Sequence, residues 1–138
     1  MKVFGKSWTH KHYKTCRLIE KEVMLNMIGS YMYGEMIVRG RRYLSDLIIY
    51  PNRIDSNWQR KKGHQVCIDD IVEIIAGHPE YLIIGTGESG QLHVLAETQD
   101  FVRSCGIQLV FAPTQYASKL YNDIYAKRRV IGAFHLAG

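Results

Sequence analysis

The residues best placed for chemistry are a glycine-rich turn, two later strand ends and one basic loop. Gly85-Thr86-Gly87-Glu88-Ser89-Gly90 follows the apolar run Tyr81 to Ile84, Pro113-Thr114 follows the run ending at Ala112, and His135 closes Val130 to Phe134. Clustered glycines let backbone N–H groups approach an anion, and a helix starting at Thr114 would add its own N–H groups and dipole. Arg60, Lys61, Lys62 and His64, in the polar connection Asn52 to Gln65, are the densest set of anion-attracting side chains. The candidate ligand-binding residues are therefore Arg60, His64, Gly85, Thr86, Gly87, Thr114 and His135, and the ligand they suit is a small anion. Against this, the turn lacks the lysine of a GxxxxGK[ST] loop, and Gln91-Leu92-His93-Val94 reads as a strand where a dinucleotide fold needs a helix. Its first reading is a structural turn joining strand to strand.

No catalytic constellation emerges. Cys67 or Cys105 could pair with His64 or His135, but neither cysteine has an evident electropositive, exposed setting, and Cys105 shares a helical face with Phe101 and Val102, which predicts a core thiol. Asp69-Asp70 is better used as a helix cap than as an acid/base couple. The cysteines number three, without CxxC spacing, and His10-Lys11-His12 has no third ligand nearby. No metal and no cofactor are expected, and the cysteine usage suits a reducing, cytoplasmic compartment.

The elements that must position these residues follow from periodicity. Met24 to Ile28, Tyr31 to Val38 and Tyr43 to Tyr50 read as three β-strands turning at Gly29-Ser30 and at Arg39-Gly40-Arg41-Arg42, an antiparallel meander. The arginines of the second turn, Arg39, Arg41 and Arg42, read as a solubilising hairpin tip ahead of a phosphate or nucleic-acid patch. Pro51 ends the third strand and opens the long polar loop, which Trp58 pins to the body with the basic side chains on its rim. Asp69 is placed to cap a short helix stopped by Gly77. Then come strand 81–84, a small strand 91–94, helix 97–105 stopped by Gly106, strand 107–112, a helix capped by Thr114 and running to Lys127-Arg128-Arg129, and strand 130–136.

Strand, helix, strand, helix, strand with right-handed crossovers gives a parallel core whose carboxyl ends share one edge. The expected fold is α/β (α+β): a three-layer sandwich with a mixed sheet, helices on one face and the N-terminal β-meander on the other. If the strands ran in simple order, both crossover helices would take one face and no topological switch point would exist.

A length of 138 residues favours one domain, able to remove about 68% of the unfolded surface from water. The 46% apolar and 22% charged composition excludes general disorder, and no window approaches the ~18 apolar residues of a membrane helix. Charge is lopsided. Residues 1–22 form a basic arm, with Lys2, Lys6, Lys11, Lys14, Arg17 and Lys21 against Glu20 and Glu22, and supply most of the net +5. The arm lacks the apolar segment of a secretory signal. Residues 23–138 make the single α/β domain.

The succession Tyr43, Asp46, Leu47 to Pro51, Trp58, Gly63-His64, Asp70, Gly85-Thr86-Gly87, Pro113-Thr114, Ala117, Tyr121-Asn122 and Gly132 to Leu136 resembles a small domain-of-unknown-function family. Its eukaryotic relatives include the adipogenesis-associated domain-containing protein and a mitochondrial respiratory complex I assembly factor. The resemblance covers about residues 28 to 136 and implies a three-layer fold but no enzyme, since the assembly-factor relative acts through protein contacts. Many relatives carry a cysteine near the end where this chain has His135-Leu136-Ala137-Gly138, so thiol chemistry proposed for them would lack its residue here.

The expected function is thus a non-enzymatic binding or assembly module acting through protein contacts, with an unspecified protein partner. Two alternatives stand beside it: a small-anion or small-ligand binding protein or enzyme using the strand-end cleft, and weak nucleic-acid binding through the arm; among partners, a second copy in a homo-oligomer is also open. No membrane is involved.

Overall fold

The computed structural model describes residues 26–138; the basic arm, with His10, His12 and Cys16, lies outside the described residues. Three short strands, β1 (Ile28–Met32), β2 (Glu35–Val38) and β3 (Arg41–Tyr43), form an antiparallel sheet. A second, mixed sheet contains β4 (Leu47–Ile49), β5 (Ile54–Ser56), β7 (Tyr81–Thr86), β9 (Gln108–Ala112) and β10 (Val130–His135) in the order β5-β4-β10-β7-β9. Between them β6 (Gln65–Val66) pairs in parallel with β8 (His93–Val94). The helices are α1 (Val72–Ala76), α2 (Ala96–Ser104) and α3 (Thr114–Ile124).

The mixed sheet and the antiparallel N-terminal sheet give the α/β sandwich that the periodicity predicts. Alternate residues of the central strands face opposite layers, as the period of two requires. Leu82, Ile84, Ile131, Ala133 and Ile48 pack with Trp58, Ile74 of α1, Val94 and Val102 of α2. Ile83, Val130, Phe134, Leu47 and Ile49 pack with Ala117 and Tyr121 of α3 and with Ile28, Met36 and Val38 of the small sheet. The layers are finer than expected in one respect: α1 and α2 cover one face, while α3 shares the other with the small sheet.

Strand order explains that division. The chain goes from β7 through α2 to β9, then through α3 back past β7 to β10. Right-handed crossovers running in opposite directions put their helices on opposite faces, so a topological switch point does exist, between the carboxyl ends of β7 and β9.

Local differences have physical reasons. The segment read as one strand from Tyr31 to Val38 breaks at Gly34, whose φ of +77° makes the β1–β2 turn. Gly29-Ser30 is not a turn but lies within β1, at an irregularity in its register with β2. The third predicted strand divides, because Tyr43 pairs with Met36 in the small sheet while Leu47 pairs with Phe134 in the large one. The polar loop contains β5, held against β4. Asp69 does not cap a helix but pairs with Lys61, and Asp70 accepts the Cys67 N–H at 2.9 Å, starting a 3₁₀ turn before α1. Cys105 is exposed, not core: it is the residue that closes α2 ahead of Gly106, whose φ is +78°.

Candidate functional site

At the carboxyl edge β7 ends in Thr86-Gly87, α3 begins at Thr114, and β10 ends in His135. Thr114 is the first residue of α3, with Pro113 in the capping position and no side-chain cap. Its hydroxyl donates to the His135 carbonyl at 2.6 Å and accepts the Gly87 N–H at 2.8 Å, while its own N–H donates to the Gly87 carbonyl at 2.9 Å. One side chain thus fastens both strand ends to the helix start.

The glycines serve this closeness. A β-carbon at Gly85 would lie 2.7 Å from Thr114 Oγ1 and 2.8 Å from Phe134 Cδ1. At Gly87, where φ is +102°, it would lie 2.8 Å from His135 Cδ2 and 2.9 Å from the carbonyl carbon of Gly138. The space beside both glycines is filled by protein, as a packed turn requires. Thr86 is buried, and its carbonyl accepts the Leu92 N–H at 3.0 Å.

Behind His135 sits an ionic cluster centred on Asp46, in the short segment between β3 and β4. Asp46 Oδ2 lies 2.7 Å from His135 Nδ1 and 2.9 Å from Arg60 Nη2, and Oδ1 accepts the Leu136 N–H at 2.9 Å. An ionised carboxylate only accepts, so Nδ1 carries a proton toward Asp46. The 3.4 Å approach of Arg60 Nη2 to the same Nδ1 is then proximity, not a hydrogen bond. Burial works against the charge on Asp46, but the hydrogen bonds from His135, the Leu136 N–H and Arg60, with the charge of His135, outweigh it and hold the carboxyl below its ordinary value. The Asp46 carbonyl accepts the N–H groups of both Asn57 and Trp58 at 2.7 Å, which brings the polar loop to the cluster.

Arg60 does not stand on the loop rim as expected. Its side chain is only 6% exposed, lies over the Trp58 ring at 4.7 Å, and donates to Gly63 O at 3.3 Å. Trp58 is itself buried and donates Nε1–H to the Asp70 carbonyl at 3.2 Å. His64 is exposed, and among the described residues no side-chain hydrogen bond ties it to the cluster; its carbonyl accepts the His93 N–H that pairs β6 with β8. The structure therefore brings Arg60, Gly85, Gly87, Thr114 and His135 together and leaves His64 outside. Asp46, the hub, is a single acid in a strand-like run, with no signal in its neighbours beyond a family-like position.

As chemistry, an Asp–His pair can orient a general base, but among the described residues no free nucleophile faces it. The Thr114 hydroxyl is engaged by backbone on both sides. The Cys67 thiol donates to Asp70 at 3.1 Å, and this bond, with burial, pushes it up, away from thiolate. Tyr31 donates its hydroxyl to the Leu136 carbonyl at 2.8 Å; burial and Glu88 push it up to about 12. Among the described residues no group of three or more His, Cys, Asp or Glu could hold a metal ion.

Residues 28–135 match the family described as a protein of unknown function (DUF498/DUF598). The chain belongs to this family. Solved structures share its fold. A conserved hypothetical protein from Pyrococcus horikoshii is 23% identical, with 80% of this chain and 98% of that one covered at a TM-score of 0.74. A Bordetella parapertussis protein is 26% identical over 81% of this chain and 96% of its own, at 0.67. A Bordetella pertussis protein described as an Mth938-like domain is 21% identical over 83% and 88%, at 0.61. The family match begins at β1 and ends at His135, so it spans the whole Asp46–Arg60–His135 cluster. Among the described residues no helix is long and apolar enough to cross a membrane.

Proposed function

We propose that this member of the family is a non-enzymatic binding or assembly module acting through protein contacts, with the strand-end edge as its contact surface. The observation that carries this reading is that the polar groups at the edge satisfy one another: Thr114 is held by Gly87 and His135, and Asp46 by His135, Leu136 and Arg60. The switch-point crevice is closed by protein rather than open to a substrate.

A rigid edge fixes the side chains beside it. Met32 and Tyr33 are 61% and 66% exposed at the β1–β2 turn, which is tied to the edge by the Gly34 N–H on the Leu136 carbonyl at 2.8 Å. Leu44, 69% exposed, follows Tyr43 and precedes Asp46 by two residues. By register Met32 pairs with Glu35, next to the buried Met36, so Met32 stands on the outward face of the small sheet, and the exposed Leu44 follows directly on Tyr43, the end of β3. Large apolar side chains grouped on a fixed surface suit a protein partner. A second copy of the chain is one such partner. The resemblance to a complex I assembly factor points the same way, and the cytoplasm is the compartment proposed.

The test is affinity capture from native extract with the wild-type chain and with Met32→Ser/Leu44→Ser, both folded by circular dichroism. A protein retained by the first and lost by the second is expected. No partner on either, together with turnover in an unbiased substrate screen, would overturn the reading.

A second reading, a small-anion protein or enzyme, is favoured by Arg60. Its Nε and Nη1 are buried without a hydrogen-bond partner among the described residues. Carboxylate or phosphate titration that shifts the Arg60 Nε–H and His135 ring resonances, saturably, would support it; unchanged resonances would dispose of it.

A further inference from the structure

The β2–β3 hairpin ends in a turn whose arginines read first as a solubilising tip, yet its geometry is specific. Arg39 and Gly40 have φ of +57° and +74°. Two successive left-handed residues make the tight turn whose twist suits a hairpin, and asparagine or glycine fits the first position with less crowding of Cβ than arginine does. The pairing then sorts the basic side chains by face. Arg41 is opposite Val38 and Tyr43 opposite Met36, and Val38 and Met36 are fully buried, so Arg41 and Tyr43 stand on the inner face of the small sheet. Arg42 is opposite Ile37 on the outer face, where it meets Glu35 at 3.5 Å.

Arg39, Arg41, Tyr43 and Ile54 of β5 line a notch of about 360 Å³. Arg42, Arg53, Arg60 and Arg128 each have a carboxylate partner, whereas Arg39 and Arg41, like Arg103 and Arg129, have none among the described residues, and only Arg39 and Arg41 border this notch. Two like charges bordering one small space repel each other, and an anion between them relieves that repulsion.

We propose that this notch binds a small phosphate monoester, its phosphate between Arg39 and Arg41 and its apolar group on Tyr43 and Ile54. A phosphate monoester offers more oxygens and more charge to two guanidinium forks than a single carboxylate does. The aromatic and aliphatic flank selects an ester over bare phosphate. The site is at the opposite end of β2 from the Met32–Tyr33–Gly34 turn and does not depend on the protein-contact reading.

The experiment is a titration of the whole chain with phenyl phosphate and with inorganic phosphate at constant ionic strength, followed by backbone amide resonances. Saturable shifts confined to Arg39 through Tyr43 and Ile54 are expected, with phenyl phosphate the tighter ligand. Arg41→Gln and Arg39→Asn, the latter suited to the left-handed turn, should each weaken binding about tenfold, the loss of one charge-assisted contact. Arg42→Gln, on the outer face, should leave it unchanged. Non-saturating shifts, or equal weakening by all three substitutions, would show general attraction to a basic surface and overturn the proposal.

Discussion

Asp46 is the residue on which the strand-end edge depends. Among the described residues it is the sole carboxylate on the buried Arg60 guanidinium, and removing one partner of such a pair leaves the other charge buried and uncompensated. Asp46→Asn is expected to cost about 3 kcal/mol of unfolding free energy, read from urea denaturation at neutral pH. The same carboxyl sets an acid limb. Its folded value lies below the ordinary 3.8, so its contribution is fully present above that value and disappears as pH falls through the lowered one. Wild type and Asp46→Asn should therefore differ in stability above the ordinary carboxyl value and converge only as pH falls through the lowered one; a gap that stays constant down to the most acidic pH at which the fold survives would show that the cluster acts by packing alone. Thr114→Val, nearly isosteric, leaves the Gly87 N–H and the His135 carbonyl without their hydroxyl partner, for a loss of about 2 kcal/mol.

At the scale of elements, the close approach of β7, α3 and β10 depends on absent side chains. Gly87→Ala forces a β-carbon against His135 and Gly138 in a backbone conformation disfavoured for alanine, and about 2 to 3 kcal/mol of destabilisation is expected in thermal or urea unfolding. A neutral result would mean that the turn is loose enough to admit a ligand, as the anion reading requires. Much of this level was legible in the sequence. The apolar runs at Tyr81 to Ile84 and Val130 to Phe134, the stop at Gly106 and the meeting of Gly87, Thr114 and His135 all follow from periodicity and parallel crossovers. Other details were not. Thr114 looked like a helix cap because hydroxyls before apolar runs usually cap, and local sequence does not reveal that Gly87 and His135 would claim it. Cys105 fell on an apolar face by helical spacing, but α2 ends there.

The whole molecule depends on pairings between remote segments, and these were the least legible. Asp46 and His135 are 89 residues apart, Arg60 and His135 75. Basic residues in a polar loop suggest a solvated rim, and only the docking of Trp58 turns Arg60 inward. The strand order, with β10 between β4 and β7, decides that a switch point exists, and periodicity holds no information on order. What results is an edge at which the Asp46 carboxylate is matched by His135, Leu136 and Arg60 and whose outer surface offers Met32, Tyr33 and Leu44. Because those side chains are exposed, Met32→Ser/Leu44→Ser should change stability by less than about 0.5 kcal/mol while abolishing partner retention. The most direct test of the account is that paired capture, wild type against Met32→Ser/Leu44→Ser, with the bound protein quantified. The account predicts a partner held by the wild type and absent from the double variant; equal retention by both chains, or none by either alongside a turnover that His135→Asn abolishes, would contradict it.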